Sequence, residues 1–167
     1  MSDTSNHAAT TFADSFRREH AITVKVLRAF PPDQAELRPH ERSGTAMQLA
    51  RTFLGEARMS LAAARGEPVL GSGSAPKELT WDDVVDQFAA LGEEIASVVV
   101  ARGDELGSER VEFYTGPRQM GEYPAMGFLW FLLHDQIHHR GQLSVYVRLA
   151  GGKVPSIYGP TADEPWH

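Results

Sequence analysis

Residues 134–142, with the sequence HDQIHHRGQ, carry the side chains of this chain that are best suited to chemistry. Three of the seven histidines fall here within six residues. Burying an imidazole costs free energy unless each ring nitrogen finds a partner. Such a cluster on an otherwise apolar helix therefore indicates a bound metal ion, a proton-transfer role or a dense hydrogen-bond network.

The spacing of these side chains suits a divalent metal ion. His134 and His138 are four residues apart, as are Asp135 and His139, and residues at this spacing share one face of a helix. A pair of this kind offers two ligands, and a third would come from a facing helix. Two alternatives stay open: the histidines could be hydrogen-bonded core residues, or His134 and His138 could lie on a solvated helix edge.

A helical wheel places Asp135 in the middle of a stripe that is expected to face the protein interior. His134 and His138 lie toward the edge of this stripe. Gln142 and Tyr146 lie on it and are candidates for contacting a cofactor or substrate, although packing inside the bundle explains them equally well. The other members of the stripe are Phe128, Leu132 and His139.

Apolar residues that recur at three- and four-residue steps predict four long helices. These cover residues 11–29, 45–65, 80–103 and 124–150, and Thr80 with Asp83 forms a capping box at the start of the third. The segment 106–123 contains three glycines and one β-prone piece, residues 111–114, and is interpreted as a long crossover loop. The pattern therefore predicts an all-α fold, a four-helix bundle with one long crossover.

Length and composition predict a single domain over residues 1–167. Hydrophobic residues make up 42% of the chain and charged residues 23%, as in ordinary globular proteins. Residues 1–10 are expected to form a flexible N-terminus and residues 153–167 an irregular C-terminal tail. The absence of cysteine excludes disulfides, thiolate metal sites and a cysteine nucleophile.

Charge and apolar patterning also bear on partners and location. The net charge of −6 argues against a general nucleic-acid binder, which needs a basic face to neutralise phosphates. The N-terminus lacks the apolar segment of a secretory signal, and the longest apolar run, residues 125–133, is too short to span a membrane. We therefore expect a soluble cytoplasmic protein that acts on a small molecule, without nucleic acid or membrane as partner.

A second copy of the chain is the expected protein partner. Leu129, Trp130 and Leu133 lie opposite the Asp135 stripe, so the last helix is apolar on two sides. A helix that is apolar all round must bury a second side. This predicts a homodimer, unless the third helix or the crossover covers that side.

The run HHRGQLSVYVRLAGGKVPSIYGP, residues 138–160, closely resembles the DinB/YfiT-like superfamily. Residues 37–40, 45–50 and 113–117 resemble corresponding segments of the same superfamily, so the likeness covers nearly the whole chain. The resemblance implies a four-helix bundle, often dimeric, and a metal-dependent enzyme. It also implies a divalent ion, typically nickel or zinc, held by one histidine of the second helix and two of the last.

The ligand set implied by this resemblance matches the chain at one position. His139 precedes Arg-Gly-Gln as the superfamily pattern requires, but Asp135 and Thr52 stand where the other two histidines would be. Glu56, one turn beyond Thr52, could replace the lost imidazole. A set of His139, Asp135 and Glu56 favours harder ions such as manganese more than three histidines do. In the other interpretation the metal has been lost, and Asp135 pairs with His139 and holds its tautomer.

The resemblance further implies two classes of reaction, both on a small molecule. One is transfer of a low-molecular-weight thiol such as mycothiol, bacillithiol or glutathione to an electrophile, and the other is hydrolysis. The ion would lower the pKa of a bound thiol or water, and His138 or His134 could move the proton. Because the chain has no cysteine, any thiol would belong to the cofactor.

The competing function is a non-catalytic protein that keeps the bundle and its pocket. Replacement of two ligand histidines favours such a metal-free, stress-related or small-molecule-binding protein. Three other polar residues have structural interpretations. His20 is expected to be a hydrogen-bonded core histidine, Arg140 to pair with an acid or cap a carbonyl, and Arg148 to anchor the tail.

Overall fold

Four long helices account for most of the computed structural model, which describes residues 3–103 and 105–167. A short 3-10 turn follows the first helix, and a short helix and a two-stranded sheet precede the last one. The predicted all-α bundle is confirmed. The elements are α1 (Asp3–Arg28), η1 (Pro32–Gln34), α2 (Ala46–Arg65), α3 (Trp81–Arg102), α4 (Glu105–Ser108), β1 (Arg110–Gly116), β2 (Gln119–Pro124) and α5 (Ala125–Leu149).

The long helices form a square in which α1 and α2 each pack against both α3 and α5. Each of these helices contributes a fully buried phenylalanine to the core, and burial of a side chain of this size contributes about 1.5–3 kcal/mol. These residues are Phe12, Phe53, Phe88 and Phe128. The facing pair α2 and α5 carries the residues whose spacing suits a metal ion.

Capping boxes fix where two of the helices begin. At α2 the Thr45 hydroxyl accepts from the Gln48 amide, and the Gln48 side chain accepts from the Thr45 amide at 2.8 Å. The predicted box of Thr80 and Asp83 at α3 has the same reciprocal pattern. Each box satisfies amides that the first helical turn leaves without partners, and the one at Thr45 sets the register of the α2 side chains.

The segment predicted as a crossover loop contains an antiparallel hairpin of β1 and β2. Its turn is tight, and Arg118 adopts a positive φ of 59° there. Val111 is buried, and Phe113 packs edge-on against Phe128 of α5 with ring centroids 5.1 Å apart. The β-prone residues 111–114 lie in β1, but the pattern predicts no hairpin, because β2 contains a glycine and no β-branched residue and owes its conformation to pairing with β1.

Helix α1 begins at Asp3, eight residues before the predicted start. Residues 3–10, expected to be flexible, are therefore helical, while Met1 and Ser2 lie outside the described residues. The physical reason is that Ala9 is fully buried and extends the apolar stripe by one turn beyond Phe12.

The C-terminal tail has no regular secondary structure, as expected, but side-chain contacts attach it to the bundle. Arg148 donates to Asp163 at 2.7 Å, in agreement with its predicted role as an anchor. Lys25 of α1 pairs with Glu164 at 2.9 Å. Among the described residues, none of the helices combines enough length and apolar character to cross a lipid bilayer.

The apolar side of α5 that predicted a dimer is covered within one chain. Leu129 and Leu133 are buried, and Trp130 packs edge-on against Phe12 of α1 with ring centroids 5.1 Å apart. For Trp130 the cover comes from the first helix. The homodimer stays a prediction, but this argument no longer supports it.

A buried arginine joins α1, α5 and the tail. Arg140, whose side chain is 2% exposed, donates to the Glu19 carboxylate at 2.8 Å and to the Tyr158 hydroxyl at 2.6 Å. It also donates to the Glu19 carbonyl at 3.1 Å, so the predicted roles of pairing with an acid and capping a carbonyl are both confirmed. Burial by itself would raise the pKa of Glu19, but hydrogen bonds from Tyr158 and Arg140 outweigh it and lower the pKa.

Replacing Glu19 by alanine is expected to destabilise the fold by about 3 kcal/mol, because it leaves the Arg140 charge buried without its partner. Urea unfolding monitored by circular dichroism measures this. The matched control is Asp86→Ala, which breaks the exposed pair with Arg28 at 3.7 Å and should cost at most about 1 kcal/mol. Equal losses for the two variants would contradict the importance of the buried pair.

His20 lies in the core, as predicted. The backbone of Phe88 and Ala89 lies close enough to the ring to raise the pKa of His20 against the effect of burial, although neither contact has the full geometry of a hydrogen bond. The ring packs against Phe16 and Phe88. Helix α3 approaches so closely that a Cβ atom on Gly92 would lie 2.4 Å from His20 Cδ2. Burial lowers the pKa of His20 to about 4.

Stability should therefore fall as the pH is lowered from about 6.5 to about 4. In this range the unfolded chain binds a proton at His20 and the folded chain does not, which removes about 3 kcal/mol from the free energy of unfolding by pH 4. Urea unfolding at pH 7 and pH 4 tests this. His20→Leu should lose this part of the pH dependence, and an unchanged pH dependence in the variant would contradict the assignment.

Candidate metal centre

A cavity of about 540 Å³ lies between α2 and α5. Loop 71–75 and Phe113 of the hairpin close its sides, so four separate parts of the chain form it. A volume of this size suits a small organic molecule. The lining residues are Gln48, Arg51, Thr52, Gly55, Glu56, Met59, Gly71, Gly73, Ser74, Ala75, Phe113, Phe131, Leu132, Asp135 and His139.

Glu56, Asp135 and His139 meet on the wall of this cavity. Nδ1 of His139 lies 2.8 Å from Oε1 of Glu56, and Nε2 of His139 lies 3.8 Å from Oδ1 of Asp135. One ligand atom from each residue can be chosen so that all three lie within 4.8 Å of one another. The four-residue spacing on α5 and the facing position on α2 thus bring the three predicted ligands together.

Two buried atoms in this group have no hydrogen bond. They are Oε2 of Glu56 and Nδ1 of His139, which is close to Oε1 of Glu56 without the geometry of a hydrogen bond. Buried polar atoms are normally paired, because desolvation without a partner costs free energy. A cation bound by these atoms would satisfy them, so the residues present fit a metal ion.

The electrostatics of the pair also favour a cation. Burial raises the pKa of Glu56, and the neighbouring His139 offsets this only in part. The Glu56 carboxylate raises the pKa of His139 against the opposing effect of burial. Two carboxylates therefore face one imidazole, and an imidazolium balances the charge of only one of them. A donor set of two carboxylates and one imidazole favours harder ions than three imidazoles do.

Close packing holds Glu56 and the adjoining loop in place. A Cβ atom on Gly55 would lie only 2.8 Å from the carbonyl oxygen of Gly73, so the loop rests directly on α2 beside Glu56. Arg58 holds the same loop by donating to the Ser74 carbonyl at 2.5 Å. On the other side, Phe53 packs edge-on against the His139 ring. The close contact between α2 and the loop on this wall of the cavity therefore requires glycine at position 55.

His134 and His138, predicted to move protons, do not line the cavity. Both are exposed, and His138 Nε2 lies 2.9 Å from the Gln142 side-chain nitrogen. Gln142 is itself exposed, and Tyr146 is buried with its hydroxyl donating to the Gly44 carbonyl at 3.0 Å. Gln142 and Tyr146 line a different pocket, of about 470 Å³, with Ser43, Gly44 and Val145.

The reason is the rotation of α5. Its buried side includes Gln136 and Arg140, which the hydrophobic pattern treats as polar and therefore assigns to the outside. The buried side keeps Phe128, Leu132 and Tyr146 of the predicted stripe but extends from them toward Gln136 and Arg140. Asp135 and His139 consequently lie beside the core, where they face α2, rather than at its centre. The exposures reflect this: 37% for the Asp135 side chain and 19% for that of His139.

The hydrogen bond between Asp135 and His139 that the metal-free interpretation predicts is not formed. At 3.8 Å from Asp135, His139 is too far for the hydrogen bond expected if Asp135 alone held its tautomer. The close partner is Glu56. Thr52, at the position where the resemblance implies a histidine, is exposed and donates to the Gln48 carbonyl at 3.1 Å.

Sequence reasoning missed several lining residues. The sequence pattern places Phe113 in the crossover loop and gives residues 71–75 no position relative to α2. Arg51 lies beside the apolar stripe of α2 and carries no pattern that distinguishes it from the other polar residues of that helix.

A model of the DinB family matches residues 1–166 of the chain. This chain belongs to the DinB family. A DinB-like protein of Bacillus subtilis, YjoA, has a similar crystal structure, with a TM-score of 0.69, 16% identity and coverage of 89% of this chain and 96% of that one. A DinB-like protein of Bacillus cereus matches with a TM-score of 0.69, 21% identity and coverage of 88% and 95%. At these identities the likeness shows the fold alone.

One curated relative shares a shorter stretch with this DinB protein. The uncharacterized protein YrdA of Bacillus subtilis is 44% identical over 61 residues. The match covers 36% of this chain and about a third of the length of YrdA.

Gly55→Ala is expected to destabilise the protein by about 1–3 kcal/mol, because the new methyl group meets backbone of the loop rather than a movable side chain. Hydrogen exchange should become faster in residues 71–75. The control is Gly141→Ala on α5, where no atom lies within 4 Å and the change should stabilise by up to about 1 kcal/mol. Unchanged exchange in the loop of the Gly55 variant would show that the contact is not needed.

Proposed function

We propose that this DinB-family protein is a metal-dependent enzyme acting on a small molecule, either a thiol-dependent S-transferase or a hydrolase. One observation carries the proposal. Glu56, Asp135 and His139 converge within 4.8 Å on the wall of a cavity of about 540 Å³, and a buried oxygen of Glu56 lacks a hydrogen bond.

Each of the three residues would have a distinct part in holding a divalent ion such as nickel, zinc or manganese. Glu56 supplies a buried carboxylate from α2, and His139 supplies an imidazole whose orientation Phe53 supports. Asp135 supplies a second carboxylate that is more exposed. When bound, such an ion supplies Lewis-acid chemistry that lowers the pKa of a thiol or a water.

The rest of the cavity is consistent with a small substrate. Met59, Phe113, Phe131 and Leu132 give it an apolar wall, which excludes water from one side of a bound molecule. Because the chain has no cysteine, a thiol used in the reaction would have to bind as cofactor. The proton-moving roles of His138 and His134 would require a substrate that extends out of the cavity, since both side chains are exposed.

A metal-free, non-catalytic binding protein is the second candidate, and two observations favour it. Thr52 replaces one histidine of the ligand set implied by the superfamily resemblance. The 2.8 Å contact between His139 and Glu56 can also be made by an imidazolium and a carboxylate without an ion.

Metal content and thermal melting decide between the two candidates. Protein purified without a histidine tag should contain a divalent metal by elemental analysis. After treatment with chelator, nickel, zinc or manganese should raise its melting temperature, because an ion at a hundredfold excess over its dissociation constant stabilises by about 2.7 kcal/mol. His139→Ala should abolish the effect, and Glu56→Ala and Asp135→Ala should each weaken it.

His138→Ala is the matched control, since it removes a neighbouring imidazole that is exposed and does not line the cavity. Its melting curves with and without metal should match those of the unmodified protein. Absence of metal, together with unchanged melting with all three ions, would contradict the enzyme proposal and favour the binding protein.

A further inference from the structure

The cavity has a second charged feature that the metal centre does not use. Arg51 of α2 lines the cavity, and its Nη2 atom donates to the carbonyl oxygens of Lys77 and Leu79, the latter at 3.3 Å. These contacts hold the guanidinium on the cavity wall. Within residues 3–103 and 105–167, Arg51 forms no ion pair with a carboxylate.

A guanidinium in this setting lacks the partners that a partly buried charge normally has. Arginine stays protonated in proteins, and its Nε atom is buried here without a hydrogen bond. Two carbonyl dipoles compensate the charge only in part, so an anionic group would gain more from this guanidinium than from one in water. Both carbonyl oxygens accept from Nη2 of Arg51. Its other terminal nitrogen, Nη1, has no hydrogen bond among the described residues.

Arg58 shows what a purely structural arginine does on the same helix. Its two terminal nitrogens donate to the Ser74 carbonyl and to the Gln87 side chain, and it does not line the cavity. Both arginines therefore hold the segment that follows α2, but only Arg51 also presents its charge to the cavity.

The other residues that line the cavity, and the net charge of its wall, restrict the chemical class of ligand further. The apolar side chains of the cavity wall indicate that the body of the ligand is apolar. They are Met59, Ala75, Phe113, Phe131 and Leu132. If a divalent ion binds as in the proposed function, the carboxylates of Glu56 and Asp135 neutralise its two charges. Arg51 then leaves one uncompensated positive charge, which a monoanion would neutralise.

We propose that the cavity binds a small organic monoanion, a carboxylate on an aromatic or alkyl body, and that Arg51 recognises its anionic group. Arg51 is then a residue that determines specificity, distinct from the three that would hold the ion. Pairing of a carboxylate with a fixed guanidinium is directional and stronger than a hydrogen bond between neutral groups.

Two matched probes test the proposal: 3-phenylpropanoate and 3-phenylpropanamide, which differ in charge and little in shape. Protein-observed NMR titrations measure their dissociation constants with the unmodified protein, Arg51→Gln and Arg58→Gln. The carboxylate should bind at least about tenfold more tightly than the amide, as expected for a charged hydrogen bond. Arg51→Gln should remove this preference, and Arg58→Gln, which also loosens the loop, should retain it.

Performing each titration with and without zinc separates this proposal from the proposed function. If zinc does not bind but the preference exists and disappears in Arg51→Gln, the metal proposal fails and the present one stands. If the preference appears only with zinc and persists in Arg51→Gln, the ion holds the anion and the role of Arg51 is overturned. Equal binding of the two probes, or no binding of either, also overturns the assignment of this ligand class.

Discussion

The buried ion pair between Arg140 and Glu19 fixes the orientation on which the candidate site depends. Helix α5 is apolar on two sides, so hydrophobic burial alone permits more than one rotation about its axis. Arg140 removes this freedom, because its charge is buried and must meet the Glu19 carboxylate and carbonyl on α1. Gln136, one turn earlier, reinforces the same rotation by donating to Thr23 at 3.1 Å. The residue next to Arg140 is His139, about 100° around the helix, and it is thereby directed toward α2 and Glu56.

The same network explains what the most recognisable part of the sequence does. Arg140 and Tyr158 belong to the two ends of the run HHRGQ…PSIYGP, and in the structure both bind the Glu19 carboxylate. The run therefore encodes attachment of the tail to the bundle more than chemistry. Within residues 138–160, only His139 lines the cavity. Membership of the family consequently supports the fold strongly, while the ligand set has to be argued from the positions of Glu56 and Asp135 themselves.

Local rules in the sequence predicted the helices, both capping residues at α3 and the shared face of Asp135 and His139, because spacing along a helix determines which side chains share a face. Glu56 as their partner was implied by the superfamily resemblance. They did not predict the rotation of α5, since Gln136 and Arg140 appear polar until Glu19 and Thr23 are known to face them. The hairpin was also missed, because β2 depends on pairing with β1. The cavity wall at Gly73 and Phe113 is formed by contacts distant in sequence, such as that between Gly55 and Gly73, which no local pattern records.

Replacement of imidazole ligands by carboxylates changes more than the choice of ion. A divalent ion held by three neutral histidines keeps two positive charges, and these alone attract an anionic substrate. Held by Glu56, Asp135 and a neutral His139, the same ion carries no net charge, so its pull on an anion is weaker at any distance. Under these conditions Arg51 becomes the main fixed positive charge on the cavity wall. If the ion binds as proposed, Glu56 of α2 with Asp135 and His139 of α5 would hold it, and Arg51 of α2 would bind the anionic group separately.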